Sequence, residues 1–161
     1  MLGKITTLAT LEAMPVDSQV ELRISTEYLI NTDNIAEMKL EGTTDSWLHY
    51  KFSIDESRSP EFIFTVNETN AAIQTLADAT KNSEKVSLNV FEGIESFNQA
   101  SGETAVAWLF NVDDIVWGEE DGTAAYTRIW YTIGGKQAKA VIVDHSIDQI
   151  VGWADEGTTA A

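Results

Sequence analysis

Apolar and polar residues alternate through much of the first half of the chain. Val20, Leu22 and Ile24 interleave with Glu21, Arg23 and Ser25, the period of a strand with one buried face, and the run continues to Ile30. Residues 4–8, short and threonine-rich, read as an earlier strand. Between the two, residues 9–19 contain Pro15, which fixes φ and withholds a backbone donor, so a loop is expected. Asn31, Thr32, Asp33 and Asn34 predict a reversal, since short polar side chains hydrogen-bond to nearby backbone and tolerate turn geometry. A strand over 35–40 and a turn over 41–46 follow. From Trp47 to Phe52 the chain puts Leu48, Tyr50 and Phe52 on one face and Trp47, His49 and Lys51 on the other. A polar loop over 53–60 leads to a strand over 61–66, with Phe62, Phe64 and Val66 in phase.

At Asn67 the period changes from two to about 3.6 residues. Asn67 suits a helix N-cap, Glu68 favours the positive end of the helix dipole, and Ile73, Leu76, Ala77 and Thr80 trace one stripe. This predicts a single amphipathic helix over about 68–80.

The same order then recurs. Leu109, Asn111, Asp113 and Ile115 repeat Leu29, Asn31, Asp33 and Ile35 at a constant spacing of 80 residues. The stretch beginning at Lys85 resembles the one beginning at Lys4, and residues 91–103 stand where the loop over 9–19 stood. A strand over 104–110 enters the repeated segment, another begins at Ile115, and the acidic run Glu119, Glu120 and Asp121 with Gly122 is expected to turn. Ile129, Tyr131 and Ile133 repeat Leu48, Tyr50 and Phe52, Gly134 and Gly135 predict a two-residue hairpin turn, and a strand returns over 139–143. A helix over about 145–154 closes the half, with Ile147, Ile150, Val151 and Ala154 on its stripe.

The expected fold is therefore α+β, a tandem duplication of a strand-rich repeat. Each repeat would hold about four to five antiparallel strands and one C-terminal helix, and the two would fuse into one body. Repeat 1 is expected over 1–82, repeat 2 over 83–156 and a flexible tail over 157–161. Domains near 80 residues bury only about 60% of their unfolded surface, so each repeat gains by packing on the other. The spacings also place four extra residues of repeat 1 in the loop over 53–60. That loop reads first as a tolerated insertion, since lengthening a surface loop costs little. It is also where a contact could be added, which makes Arg58 and Pro60 interface candidates.

Composition narrows the partners. The chain has 161 residues, 43% of them hydrophobic, enough for a core. Its formal net charge of −16 would be repelled by phosphate backbones and anionic membranes, so neither nucleic acid nor membrane is an expected partner. The acids are scattered, which favours solubility over docking on a basic partner or mimicry of nucleic acid. There is no cysteine, hence no thiolate metal site or cysteine nucleophile. No run nears about 18 apolar residues and no leader pattern opens the chain, so it is expected to be made as a soluble protein.

Candidate chemistry is sparse. His49 and His145 are the only histidines, lack metal-type neighbours, and read as surface residues. The glycine pair lacks the spacing of a phosphate loop. Asp113 and Asp114, with Glu119 to Asp121, supply oxygen ligands but not the alternation of a calcium loop, and Asn34 replaces Asp114 in the earlier copy. No catalytic residue, metal or cofactor is expected. The aromatics say more: Trp47, Trp117 and Trp130 fall in strands, and Trp47 and Trp130 are out of phase with the apolar face. Outward tryptophans need a cover, either a partner or the other repeat. Trp47, His49, Trp117 and Trp130 join Arg58 and Pro60 as interface candidates.

In this make-up, two strand-rich repeats each ending in a helix, no cysteine and no active-site pattern, the chain resembles small structural proteins of tailed-bacteriophage virions. These include capsid decoration, auxiliary capsid, tail and neck proteins. The Asn-x-Asp-x-Ile segment is also similar to short β-rich modules of other bacterial proteins. The phage resemblance implies a non-enzymatic protein of the virion, made in the host cytoplasm. Such a protein would bind capsid or tail proteins, and copies of itself, through strand edges and outward aromatics. The rival expectation is an intracellular acidic binding module, an inhibitor or nucleic-acid mimic docked on a basic protein. A small hydrolase or metal-dependent enzyme ranks third.

Overall fold

The computed structural model describes residues 1–6, 27–41, 43–53, 61–78, 85–122, 125–133 and 137–156. Residues 20–26 of the strand expected up to Ile30, the loops over 9–19 and 54–60, the glycine pair and the tail over 157–161 lie outside them. The first half contains β1 (Leu2–Thr6), β2 (Glu27–Asn31), β3 (Ile35–Glu41), β4 (Asp45–Lys51), β5 (Glu61–Val66) and α1 (Asn70–Asp78). The second contains β6 (Lys85–Val90), a short α2 (Phe97–Ala100), β7 (Val106–Asn111), β8 (Ile115–Asp121), β9 (Tyr126–Ile133), β10 (Gln137–Val143) and α3 (Ile147–Glu156). The fold is α+β, with every strand pair antiparallel. None of the described helices is long and apolar enough to cross a membrane.

Seven strands form one sheet in the order β1-β2-β8-β9-β10-β6-β7, and β3-β4-β5 form a second. The second sheet abuts the first where the Asn67 N–H donates to the Thr6 carbonyl at 2.7 Å, joining the end of β5 to β1. The corresponding join in the second half, the Asp144 N–H to the Asn89 carbonyl at 2.8 Å, ties β10 to β6. The ten strands therefore form two abutting sheets, and the two halves meet where β2 pairs with β8.

Apart from α2, the element order of the first half recurs in the second, and details recur with it. Asn31 Oδ1 accepts the Asp33 N–H at 3.1 Å, and Asn111 Oδ1 accepts the Asp113 N–H at 3.1 Å. Each asparagine caps a single 3₁₀ turn, closed by the N–H of Ile35 or Ile115. A β-bulge follows each turn, between Ile35 and Glu37 and between Ile115 and Trp117. The expected reversal is thus a corner rather than a hairpin. β2 and β3 lie in different sheets, and three strands separate β7 from β8. The turn moves the chain between unpaired strands and sets no hairpin register.

Because strand residues alternate faces, the large sheet carries a core on each side. On one face Ile5, Tyr28, Ile30, Trp117 and Trp130 pack with Leu48, Tyr50, Phe52, Val66 and Ile73 of the first half. On the other, Leu2 and Leu29 join Val86, Leu88, Ile115, Ile129, Val143, Ile147 and Ile150 of the second. Each half thereby supplies residues to the core of the other. Burying one such aliphatic side chain contributes about 1.5–3 kcal/mol.

Candidate interaction surface

The interface candidates separate sharply. Trp117 is fully buried and Trp130 is 9% exposed, both packed against the first half. Trp117 stacks at 4.8 Å from Tyr28 and 5.1 Å from Tyr50, ring centre to ring centre. These two tryptophans are therefore not an outer surface: they point away from the core of their own half, and the other half covers them. Trp47 is half-buried, with His49 at 6.2 Å, and His49 Nδ1 lies 3.3 Å from Glu37 Oε1. Arg58 and Pro60 lie outside the described residues.

His145, expected at the surface, is 5% exposed. Its Nε2 accepts the Asn89 N–H at 2.8 Å, which requires that nitrogen to be unprotonated. Its ring stands edge-on to Trp153 at 4.3 Å, and burial lowers its pKa against the opposing pull of Asp144. In the first half Glu68 fills this role, accepting the Thr6 N–H at 3.0 and 3.3 Å, and burial raises its pKa. Both side chains satisfy a strand amide at the end of a sheet join, which is a structural task.

The acidic run is also strand rather than turn, since β8 extends to Asp121. Glu119 is fully buried and accepts the Trp117 Nε1–H at 3.2 Å. Alternation sends Glu120 to the opposite face from Glu119 and Asp121, so the three carboxylates do not converge. Among the described residues no group of three or more His, Asp or Glu could hold a metal. A cleft of about 250 Å³ is lined, among the described residues, by Glu95, Arg128, Ala140 and Val141.

The junction between halves combines strand pairing with side-chain hydrogen bonds. Tyr28 pairs with Glu119, Leu29 with Gly118 and Ile30 with Trp117. Gly118 is required by closeness, because a Cβ there would sit 2.7 Å from Leu29 Cβ. Asn31 Nδ2 donates to the Ile115 carbonyl at 3.1 Å, and the Asn31 N–H donates to the Tyr50 hydroxyl at 3.1 Å. That hydroxyl in turn donates to the Val116 carbonyl. Burial raises the Tyr50 pKa, so the hydroxyl keeps its proton. At the rim Lys4 Nζ bridges Asp148 at 2.8 Å and Glu27 at 3.6 Å, and its pKa is raised chiefly by the Asp148 bond.

β7 ends the larger sheet and β3 ends the smaller one. β7 carries Val106 at 46% and Leu109 at 58% exposure; Ala36, Glu37 and Lys39 of β3 are exposed. Among the described residues no strand pairs with the outer edge of either. Unpaired edges present rows of backbone donors and acceptors, a template for another strand. Sequence phase could not find these edges, because phase reports the facing of side chains and not which strands lie outermost. No protein family matches the chain, and no curated protein and no solved structure matches it either.

Proposed function

We propose that this chain is a non-enzymatic structural protein of a virus particle, a tandem duplication whose strand edges bind capsid or tail proteins and copies of itself. The observation that carries the reading is that among the described residues the outer edges of β3 and β7 pair with no strand, with exposed Leu109 and Val106 on β7. Soluble proteins ordinarily blunt such edges with lysine, a bulge, proline or a covering segment; β3 carries Lys39 and a bulge, whereas β7 carries the apolar Val106 and Leu109. The two-sided core supports the duplication, since matched elements recur and each half builds one core that residues of the other half complete. The outward aromatic part of the surface narrows to Trp47 and the half-buried Trp108. Made in the host cytoplasm, the chain would act in the virion without cofactor.

The test is the composition of purified particles. The chain at a fixed stoichiometry that survives about 0.5 M salt, where the screening length is only a few ångströms, is the expected result. Its absence from particles would remove the reading. The net charge of −16 favours a second reading, an acidic module docked on a basic protein. Complexes of that kind would be lost steeply as salt rises.

A further inference from the structure

The two open edges are the two halves of a contact the chain already makes. β2 corresponds to β7 by element order, and β3 to β8. The internal junction pairs β2 with β8, so the unused members of the set are β7 and β3. At several matched positions the used copy is buried and the unused copy is not, although Phe110, the counterpart of Ile30, is buried within its own half. Leu29 is fully buried and its counterpart Leu109 is 58% exposed; Phe52 is 3% exposed and its counterpart Ile133 is 58% exposed. Asn31 is buried and Asn111 is exposed.

The polar clasp is duplicated as well. Tyr131 stands where Tyr50 stands, after the matching bulge, and is half-buried against Phe110 at 5.1 Å. Its hydroxyl makes no hydrogen bond among the described residues, and the Asn111 Nδ2 donates to none; Asn111 Oδ1 is already used in the cap. In the junction these two groups are the ones that reach the Ile115 and Val116 carbonyls. Their targets across the unused edges would be the carbonyls of Ile35 and Ala36, at the bulge of β3.

We infer that the chain assembles head to tail with other copies of itself, β7 of one copy pairing with β3 of the next in the register of the internal junction. In that register Leu109 meets Met38, Trp108 meets Lys39 and Phe110 meets Glu37. Met38 stands where Gly118 stands inside, and since its Cβ would come as close to Leu109 as a Cβ at Gly118 would to Leu29, this pair keeps the register only with the two strands set further apart than in the internal junction. The contact is heterologous, so it yields rings if the rotation closes and filaments if it does not. Glu37 in place of Trp117 makes it more polar than the internal junction, and the assembly reversible. Each copy carries −16, so salt promotes association by screening. This specifies the self-binding half of the proposed function, and rests on that reading only so far.

The experiment uses the absence of cysteine from the chain. Leu109→Cys and Met38→Cys are prepared singly and together and treated with a short bismaleimide at high protein concentration and high salt. The expected result is no crosslink for either variant alone, dimers when the two are mixed, and a ladder or closed ring for the double variant. Crosslinking of Leu109→Cys with itself, or sedimentation of the wild-type chain as a monomer at every concentration, would overturn the inference. A parallel pair keeps the test independent of thiol reactivity: Leu109→Glu should abolish association, and adding Met38→Lys should restore it. Failure to restore counts against the register. Particle composition is read separately, so a monomer found on virions removes self-assembly alone, and an oligomer absent from virions removes the virion role alone.

Discussion

Leu29 and Leu109 occupy the same place in β2 and β7, yet one is wholly buried and the other more than half exposed. Trp117 and Glu37 likewise share a place after the bulge of β8 and β3, one sealed in the core and the other in solvent. What differs is the neighbour. The first half closes over β8, whereas the outer edge of β3 pairs with no described strand. Local geometry is therefore shared by the halves, while burial follows from which edges are joined.

Single substitutions at matched positions should split accordingly. Trp117→Ala should have the largest effect, about 3–5 kcal/mol lost from the unfolding free energy in urea, while Glu37→Ala stays within about 0.5 kcal/mol. Equal losses would mean that the junction contributes nothing special. Leu29→Ala should cost about 2–5 kcal/mol, against about 0.5 kcal/mol or less for Leu109→Ala in dilute monomer. Tyr50→Phe should cost about 1–3 kcal/mol, because it leaves the Asn31 N–H and the Val116 carbonyl unsatisfied. Tyr131→Phe should leave monomer stability unchanged and weaken association instead.

The smallest effect is on pH dependence. The folded pKa of His145 is lowered, so its contribution is present above about 6.5, the ordinary histidine value, and is lost as pH falls through the folded pKa. The folded pKa of Glu68 is raised, so its contribution is present below the ordinary carboxylate range and lost as pH rises through the folded pKa. His145→Gln should flatten the acid loss that begins near neutral pH, and Glu68→Gln should remove a gain at lower pH. Glu120, also raised by burial, leaves part of that gain in place. Stability measured across the two windows checks the signs; slopes unchanged by either variant would contradict them.

Much of this was legible in residue order. The alternation from Trp47 to Phe52 defines β4, the change of period after Asn67 precedes α1, and the recurring Asn-x-Asp-x-Ile marks both corners. Three things were not. A corner and a hairpin use the same short polar residues, so Asn31 to Asn34 gave no sign that β2 and β3 part company. The acidic run of β8 reads as a turn until the tryptophan beside it is seen to donate to Glu119. Trp130 is outward in phase, and only the pairing of β2 with β8, strands far apart in the chain, determines that its outward side is covered.

Amide hydrogen exchange across a concentration series tests the central claim most directly. β2 and β8 are expected to stay protected at every concentration, and the outer amides of β7 and β3 to exchange quickly in dilute protein and slow together as it is concentrated. Fast exchange in β2 and β8, or protection of β7 gained without β3, would contradict it.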